Sequence, residues 1–208
     1  GRIKFESGDY ANQEDLSRVL DNQDIVYHFI CTTNPKESWN DPFIEIDQNL
    51  INSLRLFELA VKKKVKKIVF LSSGGTIYGA QDKAVNESIM PNPKSPYGIT
   101  KLATEYFLNY YCERYNIKAD IYRIGNPFGL RQPIQKAQGV IAVWMKDIIQ
   151  GSEIQVYGNS KILRDYIYVK DVAHLLTHSL NDMDSSDIYN LGSGVGTSII
   201  QLLEIFKE

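Results

Sequence analysis

The chain is poor in the residues that build disulfide frameworks and metal centres. Its 208 residues include two cysteines and three histidines. Cys31 and Cys112 are too few for a disulfide framework or a zinc site. His174 and His178 lie one helical turn apart, but no third ligand accompanies them, so we interpret them as helix-surface residues. We therefore expect no metal site.

The chain also lacks a strong excess of charge and any long apolar run. Its 23 Lys and Arg against 25 Asp and Glu leave a net charge of −2, which provides no electrostatic attraction for nucleic acid. No segment is apolar enough to span a membrane, and no signal peptide is recognisable at the start. We expect a cytoplasmic protein with neither a nucleic-acid nor a membrane partner.

What the chain does contain is a regular alternation of strand and helix patterns. Nearly continuous apolar runs, typical of buried parallel strands, cover 24–31, 67–72 and 119–124. Amphipathic helical spacing covers 49–62 and 97–115. This order predicts an α/β fold with a parallel sheet and right-handed crossovers.

The pattern loosens after residue 126. There we predict helices over 140–150, over 172–180 and from 198 onward, and short strands over 153–157, 165–169 and 188–191. We interpret residues 1–125 as one domain and residues 126–208 as a second, smaller α/β domain.

Tyr97 and Lys101 form a candidate acid/base pair at the start of a helix. Pro96 suits the first helical turn, because its φ is already helical and its missing N–H would be unpaired there. Residues four apart share a helix face, so the phenol and the ammonium can address one site. The same spacing recurs in a predicted turn and a predicted strand, where we interpret it as structural, at Tyr157/Lys161 and Tyr166/Lys170.

Polar residues follow each predicted strand of the first domain, at 32–33, 72–76 and 125–126. Ligands of doubly wound sheets bind beyond the carboxyl ends of the strands. The helix that carries Tyr97 begins at the same edge. Four segments are therefore predicted to line one crevice.

Five further segments occur in a familiar order: LSSGGTIYG (71–79), SPYGITK (95–101), RIGNPFG (123–129), RDYIYVKDV (164–172) and YNLGSG (189–194). Together they resemble the extended short-chain dehydrogenase/reductase family, and within it the NAD-dependent nucleotide-sugar epimerase/dehydratase group, typified by UDP-galactose 4-epimerase. The resemblance implies a Rossmann-like doubly wound sheet that binds NAD, followed by a smaller α/β domain that binds a nucleotide sugar.

The resemblance also implies roles for individual residues. Tyr97 and Lys101 would be catalytic, together with a hydroxyl from Ser73 or, next in preference, Thr76. Asn49, or Gln48 beside it, would lie near the nicotinamide. The implied cofactor-binding residues are Asp9, Tyr10, Phe29, Ile30, Cys31, Thr33, Asn49, Ser72, Tyr97, Lys101 and Gly125. The implied substrate-binding residues are Asn126, Val140 and Arg164.

Structural roles remain open for several of these residues. Ser72 and Ser73 could simply bond the local backbone at the end of a strand. Arg164 could pair with Asp165 or Asp171 instead of a diphosphate.

The glycine-rich phosphate loop of the family is missing. The only similar string, at 192–197, has the wrong spacing, and we interpret it as a loop in which Thr197 or Ser198 caps the final helix. We therefore expect the chain to be part of a longer protein that supplies the first strands and this loop.

The segment after the second predicted strand also departs from the family. Gly74 stands where the typical epimerase has its catalytic serine or threonine. Gly75 and Thr76 stand where the sugar dehydratases have an Asp-Glu pair. Neither is a general acid or base near neutral pH, which disfavours dehydration and decarboxylation.

The activity implied is that of an NAD-dependent UDP-hexose-type 4-epimerase, which oxidises C4 transiently and returns the hydride. An NAD(P)-dependent keto-sugar reductase or 3,5-epimerase/reductase is an alternative, as is a non-catalytic scaffold that keeps the fold. The family's usual dimer would make the protein a homodimer, through the helices predicted over 49–62 and 102–115.

Overall fold

A computed structural model describes residues 3–81, 83–133, 139–156 and 162–207. These residues form seven strands, namely β1 (Ile25–His28), β2 (Lys67–Ser73), β3 (Lys118–Ile124), β4 (Asn126–Phe128), β5 (Leu163–Tyr168), β6 (Asp187–Leu191) and β7 (Gly196–Ser198). The α-helices are α1 (Gln13–Val19), α2 (Pro42–Ile44), α3 (Asn52–Lys62), α4 (Gly74–Ile77), α5 (Pro96–Tyr115), α6 (Val140–Ile149), α7 (Val169–Leu176), α8 (His178–Asn181) and α9 (Ile199–Lys207). A 3₁₀ turn at Glu37–Trp39 and a π-helical stretch at Glu45–Ile51 complete the description.

The larger sheet contains four strands in the order β1-β2-β3-β6, and all neighbouring pairs are parallel. Successive side chains of a strand point to opposite faces, so β2 buries residues on both sides. Ile68 and Phe70 belong to one apolar cluster, with α1, α3 and α5. Val69 belongs to a second cluster, with α7. The predicted α/β fold with a parallel, doubly covered sheet is confirmed.

The smaller sheet has the order β4-β5-β7, with β4 and β5 parallel and β5 and β7 antiparallel. Strand β6 comes after residue 126 in the chain, yet it pairs with β3 in the larger sheet. A cut at residue 125 therefore does not separate the two sheets. The division into two domains stays a prediction.

Helix α5 begins and ends where local chemistry dictates. Ser95 is the N-cap, and its Oγ accepts a hydrogen bond of 3.1 Å from the N–H of Gly98. Pro96 occupies the first turn, as predicted. Asn116 ends the helix in the left-handed conformation, with φ of 55°.

Several predicted boundaries are wrong. The helix predicted from residue 49 starts earlier, because α2 and the π-helical stretch run directly into α3. No strand forms over 153–156, while Tyr157 lies outside the described residues, as does the Tyr157/Lys161 pair. The helix predicted over 172–180 is two helices, α7 and α8, and it begins at Val169. Short elements such as these carry few side-chain periods and are poorly marked in sequence.

Within the described part of the chain, the helices are all too short or too polar to cross a bilayer.

Candidate active site

The carboxyl ends of β1, β2 and β3 and the first turn of α5 meet at one edge of the larger sheet. There the Lys101 ammonium lies 5.8 Å from the centre of the Tyr97 ring. It donates a hydrogen bond of 3.0 Å to the Leu71 carbonyl oxygen and sits 4.9 Å from the Phe70 ring. Lys101 is only 8% exposed. The candidate acid/base pair therefore faces one buried site.

Burial controls the proton affinity of both members of the pair. It raises the pKa of Tyr97, and Cys31 and Glu45 raise it further. Burial lowers the pKa of Lys101, whereas Cys31, Glu45 and Glu105 oppose that change. Desolvation disfavours the phenolate and the ammonium alike. Any reaction that uses Tyr97 as a base must therefore supply positive charge next to the phenolate.

Thr76 places a second polar group beside the pair. Its Oγ1 is buried and has no hydrogen-bond partner among the described residues. Helix α4 packs closely on α5, since a Cβ on Gly98 would lie 2.8 Å from the Thr76 carbonyl oxygen. The backbone of Thr76 thus lies against the first turn of α5, and its hydroxyl is a buried group with unused hydrogen-bonding capacity in the described part of the chain.

The two serines at the end of β2 differ in their surroundings. The Ser72 hydroxyl donates a bond of 2.5 Å to the buried Glu105 carboxylate, so it has a structural partner. Ser73 is half-buried, and its side chain makes no capping bond to α4. The alternative in which both serines only bond the local backbone is therefore not what the structure shows.

Gly74 has a packing reason to be glycine. A Cβ at this position would lie 2.9 Å from the carbonyl oxygen of Arg123 on β3. A serine here would have to push the neighbouring strand away. The hydroxyl that the family carries at this position therefore has no room in this chain.

Asn49 holds together the segment that follows β1. Its side-chain oxygen accepts a bond of 3.0 Å from the Thr32 N–H, and its amide donates to Thr33 Oγ1 at 3.1 Å and to Glu45 Oε2 at 3.2 Å. Asn49 is buried, whereas Gln48 is exposed. Of the two residues, Asn49 is thus the one whose side chain contacts the segment after β1.

Glu45 is a site residue that sequence analysis missed. Its side chain is 1% exposed and accepts hydrogen bonds from Thr33 and Asn49. The available signal was its spacing, four residues before Asn49, which places both on one helical face. An isolated glutamate with that spacing is ordinary, so the signal is weak.

The other residues predicted to bind the cofactor are spread along the edge of the sheet. The Asp9 carboxylate is exposed and accepts a bond of 2.9 Å from the Ala11 N–H. Phe29 and Ile30 are each 47% exposed just after β1. Cys31 is half-buried and donates to the Thr33 carbonyl at 3.4 Å.

Tyr10 points its hydroxyl into the interior. The phenol oxygen lies 3.2 Å from His28 Nε2 and 3.2 Å from Ser53 Oγ, and burial raises the pKa of Tyr10 to about 12. The Tyr10 phenol therefore bonds His28 and Ser53 in the interior, and it does not contact Tyr97 at the edge of the sheet.

The residues predicted to bind substrate lie around the start of the smaller sheet. Asn126 donates a bond of 3.1 Å to the Asp165 carbonyl oxygen. Gly125 packs so closely that a Cβ would lie 2.9 Å from the same oxygen. Arg164 is exposed on β5, and Val140 is half-buried at the start of α6. These two are not brought next to Tyr97 by any contact of the described residues.

The Asp165 carboxylate is used by the loop after β6. It accepts bonds from the Ser193 N–H at 2.8 Å, the Ser193 hydroxyl at 2.6 Å and the Gly194 N–H at 3.0 Å. Ser198 and Gln201 cap α9 reciprocally, at 3.2 and 2.8 Å. The glycine string at 192–197 is thus a loop leading to a capped helix.

Metal binding has no structural basis in the described residues, which contain no group of three or more His, Cys, Asp or Glu side chains that could hold an ion. His174 and His178 are neighbours whose ring centres are 6.1 Å apart.

Comparison with known proteins identifies the family. The model of the NAD dependent epimerase/dehydratase family matches residues 1–192. The chain belongs to this family. The predicted resemblance is confirmed, and so is NAD as the cofactor that the family uses.

Individual relatives of the family carry different activities. The chain is 31% identical to a putative UDP-glucose 4-epimerase of Methanocaldococcus jannaschii, over 100% of the chain and 68% of that protein. It is 32% identical to a dTDP-4-dehydro-6-deoxyglucose reductase of Escherichia coli, over 93% of the chain and 62% of that protein.

A solved structure extends the comparison to the fold. The UDP-glucose 4-epimerase of Thermotoga maritima, determined with UDP-glucose, aligns with a TM-score of 0.91 and 32% identity, over 96% of this chain and 66% of that one. The chain thus spans about two thirds of the length of these relatives.

The residues at the site fit the family's cofactor. Thr76 offers a buried hydroxyl with no partner within 3–81, 83–133, 139–156 and 162–207. The Lys101 ammonium has three N–H donors, of which the Leu71 carbonyl takes one. The edge of the sheet where they lie is the position at which doubly wound folds bind dinucleotides.

Proposed function

We propose that the protein is an NAD-dependent nucleotide-sugar 4-epimerase of the UDP-hexose type. The observation that carries the proposal is the pair formed by the half-buried Tyr97 and the buried Lys101, with the backbone of Thr76 packed against the helix turn that carries Tyr97. Positions 75 and 76, where the dehydratases have their acid pair, hold glycine and threonine. The site can move a proton, yet it lacks the groups at this position that would expel water.

Tyr97 is the group that takes the sugar hydroxyl proton and gives it back. A phenol with a pKa of about 10 is a poor base at neutral pH, and burial makes it poorer still. The Lys101 ammonium on the same helix face stabilises the phenolate and reduces that barrier. Thr76, or Ser73 beside it, donates a hydrogen bond that orients the reacting hydroxyl.

When bound, NAD accepts a hydride from C4 of the sugar and returns it. Lys101, Asn49 and Thr33 would hold the nicotinamide end, with Asp9 at the adenine end and Phe29, Ile30 and Cys31 along the strand end between them. Asn126 and Val140 would contact the nucleotide sugar. Arg164 is exposed, and its planar guanidinium suits a diphosphate. We propose that residues 1–125 mainly serve the cofactor and residues 126–208 mainly the substrate.

The experiment is NMR of UDP-galactose and of UDP-N-acetylgalactosamine, each incubated with the full-length protein and catalytic NAD. We expect conversion to the C4 epimer, and a loss of roughly 10²–10⁴-fold in Tyr97→Phe. Tyr106→Phe is the matched control, because Tyr106 lies on the same helix but is 63% exposed. No conversion of either sugar by folded, NAD-loaded protein would contradict the proposal.

A keto-sugar reductase is the second candidate, favoured by the similarity to the Escherichia coli reductase. The two activities differ in cofactor balance, since an epimerase regenerates its cofactor and a reductase consumes it. Net oxidation of NADH or NADPH in the presence of a 4-keto sugar nucleotide, without epimerisation, would assign the reductase activity.

A further inference from the structure

Glu45 is a buried carboxylate that has no role in the proposed reaction. It is 1% exposed, and its oxygens accept hydrogen bonds from the neutral side chains of Thr33 and Asn49. Burying a carboxylate is costly unless hydrogen bonds and an opposite charge compensate it. A cation is therefore expected close to Glu45.

The candidate for that cation is Lys101. The π-helical stretch that carries Glu45 packs against α5, which carries Lys101. Both side chains line the same cavity of about 10 Å³, together with His28 and Asn49. A cavity of that size has room for about one water molecule. The carboxylate and the ammonium thus line one small cavity without forming a direct ion pair among the described residues.

We propose that Glu45 is a positioning residue that supplies the buried counter-charge of Lys101 and so sets the pH range in which the Tyr97–Lys101 pair works. A negative charge here favours the ammonium, which must stay protonated in a site that hardly meets water. The same charge disfavours the phenolate, which makes Tyr97 the stronger base once it is ionised. This inference rests on the proposed acid/base function of the pair.

Other titratable groups also surround the pair. The Cys31 thiol, just after β1, raises the pKa values of Tyr97 and Lys101, and Glu105 on α5 raises the pKa of Lys101. Glu105 is already neutralised by a buried ion pair of 2.7 Å with Arg123. His28, on the opposite wall, is held neutral, since burial and then Lys101 lower its pKa to about 3.

The test is a pH titration of Lys101 in the full-length protein. The titration is monitored by NMR of lysine labelled with ¹³C at Cε, and the Lys101 signal is assigned with the Lys101→Met variant. We expect the pKa of Lys101 to fall by about 1 in Glu45→Gln and to stay near its original value in Glu45→Asp, which keeps the charge. Asp47→Asn removes the same charge from an exposed position of the same π-helical stretch. Asp47→Asn should leave the pKa of Lys101 unchanged, because solvent screens exposed charges.

Catalysis provides a second readout. In Glu45→Gln both limbs of the pH profile of kcat/KM should move to lower pH by about 1, because the phenolate and the neutral amine both become easier to form. A purely structural role would lower the profile without moving its limbs.

An unchanged Lys101 titration in folded Glu45→Gln would overturn the inference, even if the protein epimerises UDP-hexoses. A shifted titration without turnover of any sugar nucleotide would support the inference and count against the proposed function. If Glu45→Gln does not fold, the carboxyl ¹³C signal of Glu45 in the unmodified protein decides. A protonated carboxyl at pH 7 would overturn the proposal, and an ionised one would support it.

Discussion

At the scale of single residues, the hydroxyl of Thr76 combines a folding cost with a proposed use. A buried hydroxyl without a partner costs about 1 kcal/mol or more. Proteins keep such groups where a ligand supplies the missing partner, and Thr76 lies against the first turn of α5. We infer that Thr76, more than Ser73, is the hydroxyl that orients the substrate.

Thr76→Val tests this inference, since valine keeps the shape and removes the hydroxyl. We expect the free energy of unfolding to rise by about 1 kcal/mol, because an unsatisfied group is lost, while kcat/KM falls by roughly 10²-fold. Chemical denaturation and steady-state kinetics measure the two effects. A larger kinetic loss in Ser73→Ala than in Thr76→Val would assign the role to Ser73 instead.

His28 predicts how stability depends on pH. Burial, and secondarily Lys101, lower its pKa from 6.5 to about 3 in the folded protein. Between these values the unfolded chain binds the extra proton, so the stability from neutral His28 is complete above pH 6.5 and decreases as the pH falls toward 3.

The free energy of unfolding should therefore decrease by up to about 1.4 kcal/mol per pH unit on this account. His28→Phe keeps a ring against Phe57 and Phe70 and removes the titration. We expect a flatter dependence in this variant, measured by denaturant unfolding from pH 7 to pH 4. Equal slopes of the free energy of unfolding against pH in the two proteins would show that His28 does not control the pH dependence.

At the scale of elements, the position of α5 depends on a close approach that only glycine allows. A Cβ on Gly98 would lie 2.8 Å from the Thr76 carbonyl oxygen and 3.1 Å from Pro93. Helix propensity alone would favour alanine by about 1 kcal/mol. Contact between α4 and α5 therefore outweighs propensity at this position.

Gly98→Ala should lower the free energy of unfolding by about 1–3 kcal/mol, because α5 must move away from α4. It should also lower kcat, since Tyr97 precedes Gly98 and moves with it. Gly75→Ala is the matched control for stability, because a Cβ there meets nothing within 4 Å. Comparable destabilisation by both substitutions would contradict the packing argument.

A buried polar network fixes α5 further along its length. Glu105, two turns after Tyr97, pairs with Arg123 on β3 at 2.7 Å, and the Arg123 guanidinium donates to the Tyr78 hydroxyl at 2.8 Å. Tyr78 in turn donates to Asn190 on β6 at 2.7 Å. The network links the helix of the acid/base pair to two strands and to the end of α4. It also accounts for Ser72, whose hydroxyl bonds Glu105.

At the scale of the whole molecule, the outer face of α5 exposes several aromatic side chains. Tyr106 is 63% exposed, Phe107 41% and Tyr110 48%. Contiguous exposed apolar surface marks interaction sites more often than isolated residues do. The homodimer remains a prediction, and this face is where we place it.

We expect the full-length protein to sediment with the mass of two copies, and Tyr106→Glu combined with Tyr110→Glu to sediment as one copy. Charges directed at an apolar interface must be desolvated without a partner, which weakens association. Ile200→Glu is a control at a position that is 51% exposed on α9. A single-copy mass for the unmodified protein at micromolar concentration would contradict the predicted dimer.

The features that depend on local spacing could be predicted from the amino-acid sequence. Apolar runs marked β1, β2 and β3, and Pro96 with the helical period marked α5, so Tyr97 and Lys101 could be placed on one face. These signals are local, because a side chain's direction follows from the period of its own element. Family motifs added the cofactor and the class of reaction.

Contacts between distant segments could be read only from the folded chain. The fold brought β6 beside β3, placed Glu45 and Lys101 at one cavity, left the Thr76 hydroxyl without a partner among the described residues and excluded a side chain at Gly74. Each depends on how closely two elements pack, and no local pattern records that distance. In a closely packed interior, a neighbouring backbone oxygen can leave no space for a Cβ. The same packing can leave a buried hydroxyl without a hydrogen-bond partner.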